Sequence, residues 1–312
     1  FTLAPPSINS QVATLLAAVN FTPSSSGSPD SGNILSSNTS LDNTTVITAN
    51  AASTDSSVTP QVVLDSQAGQ IYIAGNTALN TAATIQANAD TGGLIILSSP
   101  AGTYQNTGYI QTNGGAGLGG TIAEAGLIST TLIGATVEAN GTTGGGNIII
   151  GRDFQASPLP GSVTQAALLP SLSSVITVPT SASTTIDTTS NLSANSTVSG
   201  DGGNVLVWGD GNLLAGTISA QALGTSGNGG FIETSGDTLS IATGSFVSAA
   251  SANGIAGTWL LDPYDITIAA SGATGTTYSA TFTAGATSTI LASSISSSLL
   301  TTNVSIHWSG WL

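Results

Sequence analysis

The sequence predicts an all-β fold, a parallel β-helix of stacked coils about 27 residues long with non-repetitive segments at both ends. Three observations carry this. Glycines open short apolar runs at Gly69, Gly93, Gly120, Gly146, Gly203, Gly230 and Gly257, with gaps of 24, 27, 26, 57, 27 and 27 residues. The second residue after each is always apolar: Ile71, Ile95, Ile122, Ile148, Val205, Ile232 and Trp259. The residue between is variable, which is the alternation of a strand with one buried face.

Taken in order along the chain, residues 1–31 lack the glycine beat. Val12, Leu15, Leu16 and Val19 fall at helical spacing, so the segment is expected to cap or dock. Residues 32–285 carry the coils. The fourth residue after each glycine is usually apolar (Ile73, Leu97, Ile150, Val207, Leu261), but Glu124 and Thr234 interrupt that column. A second short strand precedes each following anchor: Ile85-Gln-Ala87, Ile110-Gln-Thr112, Val137-Glu-Ala139, Ile218-Ser-Ala220 and Val247-Ser-Ala249. Turns rich in Gly, Asn, Asp, Ser and Thr join these strands. Stacked at about 4.8 Å, eight or nine coils make a rod on the order of 40 Å long.

The 57-residue gap holds four of the eleven prolines, Pro158, Pro160, Pro170 and Pro179. It is either two coils or one coil with an excursion of about 30 residues; the expectation is a protruding loop near 152–180, followed by a second coil from Thr184 to Ser199. Residues 286–312 lose the beat again and are expected to form a second capping or docking segment. Open strand edges at both ends need a cap or a partner. Phe1, Val12, Leu15, Leu16, Val19, Trp308 and Trp311 are the candidate subunit contacts.

Composition excludes several classes of function. Fifteen acids face one basic residue, Arg152, for a net charge of −14, and only 5% of residues are charged. No basic patch exists to neutralise phosphates, so nucleic acid is not a partner. Anionic lipid heads find no electrostatic match either. Cysteine is absent, so core and backbone ladder alone hold the fold. No run of 18 apolar residues occurs. The chain starts at Phe1 and lacks methionine, which suggests excision from a longer precursor.

Four phrases then follow in order: GGGNIIIGRDFQ, GDGGNVLVWGDG, GTISAQALGTSGNGGFIETSG and GTWLLDPYDITI. Over about residues 144–268 this resembles the repeat region of large exoproteins of the filamentous haemagglutinin type, exported by two-partner secretion. Asp201, Trp208, Asp210, Glu233, Asp262 and Pro263 sit at matching positions, while Arg152 stands where that family usually has glycine. The resemblance implies a right-handed β-helix, a secreted bacterial cell-surface or extracellular location, an outer-membrane partner pore, and a role as adhesin or surface fibre.

Chemistry-bearing residues are sparse. His307 is the sole histidine, which removes histidine-dependent triads and Cys/His zinc sites. Asp201 with Asn204, and Asp210 with Asn212, offer oxygen donors in turns and are the calcium candidates, without the nonapeptide repeat of calcium-binding rolls; no other cofactor is expected. Asp201 with Asp210, and Asp262 with Asp265, are the pairs a glycan-cleaving enzyme would need. Trp208, Trp259, Trp308, Trp311, Tyr72, Tyr104 and Tyr109 offer faces for sugars or core. Seven Asn-x-Ser/Thr triplets occur, at Asn20, Asn38, Asn43, Asn140, Asn191, Asn195 and Asn303. The expectation is therefore a secreted, non-enzymatic adhesive or structural protein that self-associates head to tail into a filament or biofilm fibre. A monomeric stalk binding host or matrix glycans is the first alternative. A β-helical polysaccharide-degrading enzyme is the second.

Overall fold

The structure is a computed structural model that describes residues 79–82, 84–152, 178–264, 266–269 and 288–307, and the backbone of strands at 40–41, 46–47, 63–65, 70–75 and 78. The candidate contacts Phe1, Val12, Leu15, Leu16, Val19, Trp308 and Trp311 lie outside these residues.

Three parallel sheets run the length of a β-solenoid, and each coil gives one strand to each sheet in turn. The first sheet has nine strands: Ser40–Leu41, Gln70–Gly75, Leu94–Ser99, Thr121–Gly126, Asn147–Ile150, Asn204–Trp208, Phe231–Gly236, Thr258–Pro263 and Asn303–Ile306. The second and third sheets have seven strands each. Ala78–Thr81, Thr103–Asn106, Ser129–Leu132, Ser183–Ile186, Gly211–Leu214 and Thr238–Ile241 lie in the second. Thr84–Gln86, Tyr109–Gln111, Thr136–Glu138, Asn191–Ser193, Thr217–Ser219 and Phe246–Ser248 lie in the third. Strands of consecutive coils pair with each other.

Register explains the apolar column. Ile71, Ile95, Ile122, Ile148, Val205, Ile232, Trp259 and Val304 pair successively along the first sheet. Ile95, Ile122, Ile148, Val205, Ile232 and Trp259 are fully buried. They pack against Ile110, Val137, Leu192, Ile218 and Val247 of the third sheet in one continuous core. Each such side chain contributes roughly 1.5–3 kcal/mol through burial.

One buried face was expected for these strands; the first sheet is buried on both. Its outward column of Ile96, Ala123, Ile149, Leu206 and Leu260 is no more than 2% exposed and forms a second apolar cluster with Leu94 and Phe231. Val178 packs against it. A parallel sheet covered on both faces reads as a nearly continuous apolar run, as in LIIL and NIII.

The long gap is a single coil. Asn147–Ile150 pairs directly with Asn204–Trp208, and no first-sheet strand intervenes among the described residues. Ser183–Ile186 and Asn191–Ser193 supply the second and third sides of that same coil. The expected second coil is thus corrected to one coil with an excursion between its first and second strands. Thr184–Ser199 reads as coil text because it completes a coil already begun.

The spiral also runs past residue 285, since Asn303–Ile306 adds the ninth first-sheet strand. Before it, residues 288–302 lie across the last full coil. Strand Ser288–Leu291, a short helix Ala292–Ser296, a 3₁₀ turn Ser298–Leu300 and the residues after it bring three hydroxyls to buried backbone donors at the sheet edges. Leu239 N–H donates to Ser288 Oγ (2.8 Å), Val247 N–H to Ser298 Oγ (3.3 Å) and Ala249 N–H to Thr302 Oγ1 (2.8 Å). Ile290 and Ile295 close the core beneath. Ser288–Leu291 also pairs in parallel with Ile266–Ala269, so a strand as well as a side chain covers the edge of the second sheet, while side chains alone meet the edge of the third.

Candidate functional site

Two constellations stand out. The first is an amide ladder at the corner after the third sheet. Asn113 N–H donates to Asn88 Oδ1 (2.6 Å), Asn140 N–H to Asn113 Oδ1 (2.8 Å), Asn195 N–H to Asn140 Oδ1 (2.7 Å), and Gln221 N–H to Asn195 Oδ1 (2.7 Å). Each asparagine thus holds the backbone of the coil after it. The side-chain nitrogens are engaged too: Asn140 Nδ2 donates to Ser193 Oγ (3.0 Å) and Asn195 Nδ2 to Ser219 Oγ (3.1 Å). Beside them Glu138 Oε2 accepts from Tyr109 (2.7 Å), Gln111 (2.9 Å) and Asn113 (3.0 Å). Asp201 continues the pattern on the neighbouring turn, where its Oδ1 accepts from Asn228 N–H at 2.7 Å.

This ladder decides the fate of two of the glycosylation triplets. Modification of Asn140 or Asn195 would attach a sugar to a nitrogen that donates between coils. Neither is expected to carry glycan in folded protein produced in a glycosylating host, as intact-mass measurement after glycosidase treatment would show. Asn195→Ala is expected to cost about 1–3 kcal/mol, because Gln221 N–H loses its acceptor. Urea unfolding checks this.

The second constellation gathers most of the charge-bearing residues of the four phrases. Arg152 follows the first-sheet strand Asn147–Ile150 and lies over the Trp208 ring, 4.5 Å from its centroid. Burial lowers the guanidinium's affinity for its proton; Glu233, Asp210 and Asp237 oppose that shift. Glu233 is pushed up to about 7 by burial, with Asp262 raising it further and Arg152 opposing. Asp210 is raised by burial and by Asp237, again against Arg152. Asp262 Oδ1 lies 3.1 Å from His307 Nδ1. His307 therefore pairs directly with Asp262, while Arg152 contacts the Trp208 ring of the next coil within the field of Glu233, Asp210 and Asp237. Chemically this is a cross-coil brace at the root of the excursion. A half-buried cation over an indole is worth on the order of 0.5–1 kcal/mol.

The two calcium candidates are not brought together. Asp201 precedes and Asp210 follows the strand Asn204–Trp208, whose five residues alone span about 16 Å. Among the described residues no group of three His, Cys, Asp or Glu side chains is placed to hold a metal ion. The same separation denies Asp201 and Asp210 the spacing of about 5–10 Å that glycoside hydrolysis needs. Asp265 lies outside the described residues. Tyr104 is fully buried and offers no face to a sugar, Tyr109 is tied to Glu138, and Trp259 is core.

Fold and site together define a parallel β-solenoid whose polar side chains mostly bind its own coils. No protein-family model matches the chain, and no curated protein matches it. Among solved structures it is similar to the HMW1 secretion domain from Haemophilus influenzae. Identity is 25%, over 65% of this chain and 50% of that one, with a TM-score of 0.49. The chain thus spans half the length of that structure.

Proposed function

We propose that this chain is a non-enzymatic rod module of a secreted bacterial surface adhesin, exported through an outer-membrane partner pore, and that it self-associates through the open edge of its first sheet. The observation that carries the reading is the end of that sheet. Among the described residues Asn303–Ile306 is its outermost strand, while hydroxyls cap backbone donors of the neighbouring sheets. Leu299, Leu300 and Ile306 beside it are 55%, 85% and 45% exposed. An edge strand flanked by exposed aliphatics accepts a further strand. Purified protein is expected to sediment as oligomers at rising concentration and to show end-to-end rods in negative-stain images. Leu300→Lys with Ile306→Lys is expected to leave single rods. Dispersed single rods of the unaltered protein at high concentration would overturn self-association.

The same caps favour a second reading, a monomeric stalk that displays the excursion after Arg152 to host or matrix glycans. Two of three sheets are closed at this end, so full coil-on-coil stacking is blocked there. Deleting residues 154–177 is then expected to abolish cell attachment while circular dichroism and rod images stay unchanged.

A further inference from the structure

We propose that Glu124 is held as a neutral carboxylic acid inside the rod and forms a pH-operated weak point between the coil before it and the coil after it. The argument begins with position. Glu124 occupies the inward column of the first sheet, paired between Leu97 and Ile150, and is fully buried. Its polar neighbours come from the second-sheet strand Thr103–Asn106. Asn106 Nδ2 donates to both carboxyl oxygens at 3.2 Å, while Asn106 Oδ1 is itself used by Gly108 N–H at 2.8 Å. The Tyr104 hydroxyl lies beside the same carboxyl, fully buried, without a partner in hydrogen-bond geometry.

Among the described residues no counter-charge is present beside Glu124. The elements packed around Glu124 are the strands Leu94–Ser99, Thr103–Asn106, Ser129–Leu132 and Asn147–Ile150. Across these four, Tyr104 is the one titratable side chain, and no lysine, arginine or histidine occurs. A buried carboxylate is tolerated where a cation or two to three donors hold it. Here one shared amide donor serves both oxygens. A proton on the carboxyl removes the charge and supplies a donor that the Tyr104 oxygen can accept. Burial accordingly pushes Glu124 up to about 7, with the Asn106 amide opposing.

The sign follows from linkage. A carboxyl that binds its proton more tightly folded than unfolded gives stability that is fully present below the unfolded value of 4.5. That stability is lost as pH rises towards 7 and stays lost above it. Glu233 titrates in the same direction and must be separated.

The chain has only three glutamates, Glu124, Glu138 and Glu233, so carboxyl-labelled glutamate gives three carbon NMR signals. Glu138→Gln and Glu233→Gln assign two of them. The remaining signal is expected to titrate two or more pH units above that of free glutamate, and the unfolding midpoint of Glu233→Gln protein to fall from about pH 5 to about pH 8. Adding Glu124→Gln is expected to flatten that fall. Amide exchange on strands Leu94–Ser99 and Thr121–Gly126 is expected to rise more at high pH, beyond its ordinary base catalysis, than on Thr258–Pro263. A Glu124 signal that titrates near pH 4.5, or an unchanged pH profile in the Gln variant, would overturn the proposal; the NMR reading stands on the unaltered residue should the variant fail to fold.

Discussion

Gly202→Ala is expected to abolish folding, or to cost at least about 3 kcal/mol, although the residue lies in no strand and touches no ligand. A β-carbon there would stand 2.2 Å from Ala220 O and 2.7 Å from Gly230 N, both backbone atoms of the next coil. Those two atoms are already joined, since Gly230 N–H donates to Ala220 O at 2.7 Å to close that coil's corner. The methyl group would sit on a hydrogen bond that neither partner can leave. The same contact recurs at Gly119, Gly145 and Gly229, where the added carbon meets Ala139 O, Ala194 O and Ala249 O at 2.0, 2.1 and 1.8 Å. In a stacked fold the displacement of one coil is passed to its neighbours, so the loss is felt along the rod. Gly115→Ala is the control. Its nearest atom, Ala89 O, would lie at 3.4 Å, and the change should stay within about 1 kcal/mol. Equal urea midpoints for the two variants would refute this account of the paired glycines.

This steric reason shows which parts of the fold were legible beforehand. The glycine beat and the apolar second position are forced by backbone contact and by burial, so they recur in every coil and can be counted. The asparagine ladder recurs equally, but asparagine is common in any turn, and nothing in the text separates Asn140 or Asn195 from residues that serve only local geometry. Likewise the three cap hydroxyls, Ser288, Ser298 and Thr302, are anonymous in a chain so rich in serine and threonine. The excursion was visible through its prolines, yet text alone did not show that the strands on either side belong to one coil. That depends on which strand Asn147–Ile150 pairs with, a long-range fact. Arg152, Trp208, Asp210 and Glu233 were readable as residues of three motif phrases, but the packing of Arg152 on Trp208 required the register.

The two breaks in the apolar column have different causes, and one yields the second large effect. Glu124 is a charge problem; Thr234 is a partner. Trp259, fully buried one coil further on, needs an acceptor for its indole N–H, and Nε1 donates to Thr234 Oγ1 at 2.9 Å. Trp259→Ala is expected to cost about 3–5 kcal/mol through lost packing and the cavity left in the core. Thr234→Val conserves shape but strands the indole donor, and should cost about 1–3 kcal/mol. Trp259→Phe together with Thr234→Val removes both polar groups at once. That pair should cost less than the sum of its single changes by about 1 kcal/mol, as a double-mutant cycle in urea would show. Additivity would mean that the threonine sits in the column for another reason. Coupling would establish that a polar residue interrupts this core because the next coil brings the largest side chain in the chain, and that side chain carries a donor the aliphatic column cannot satisfy.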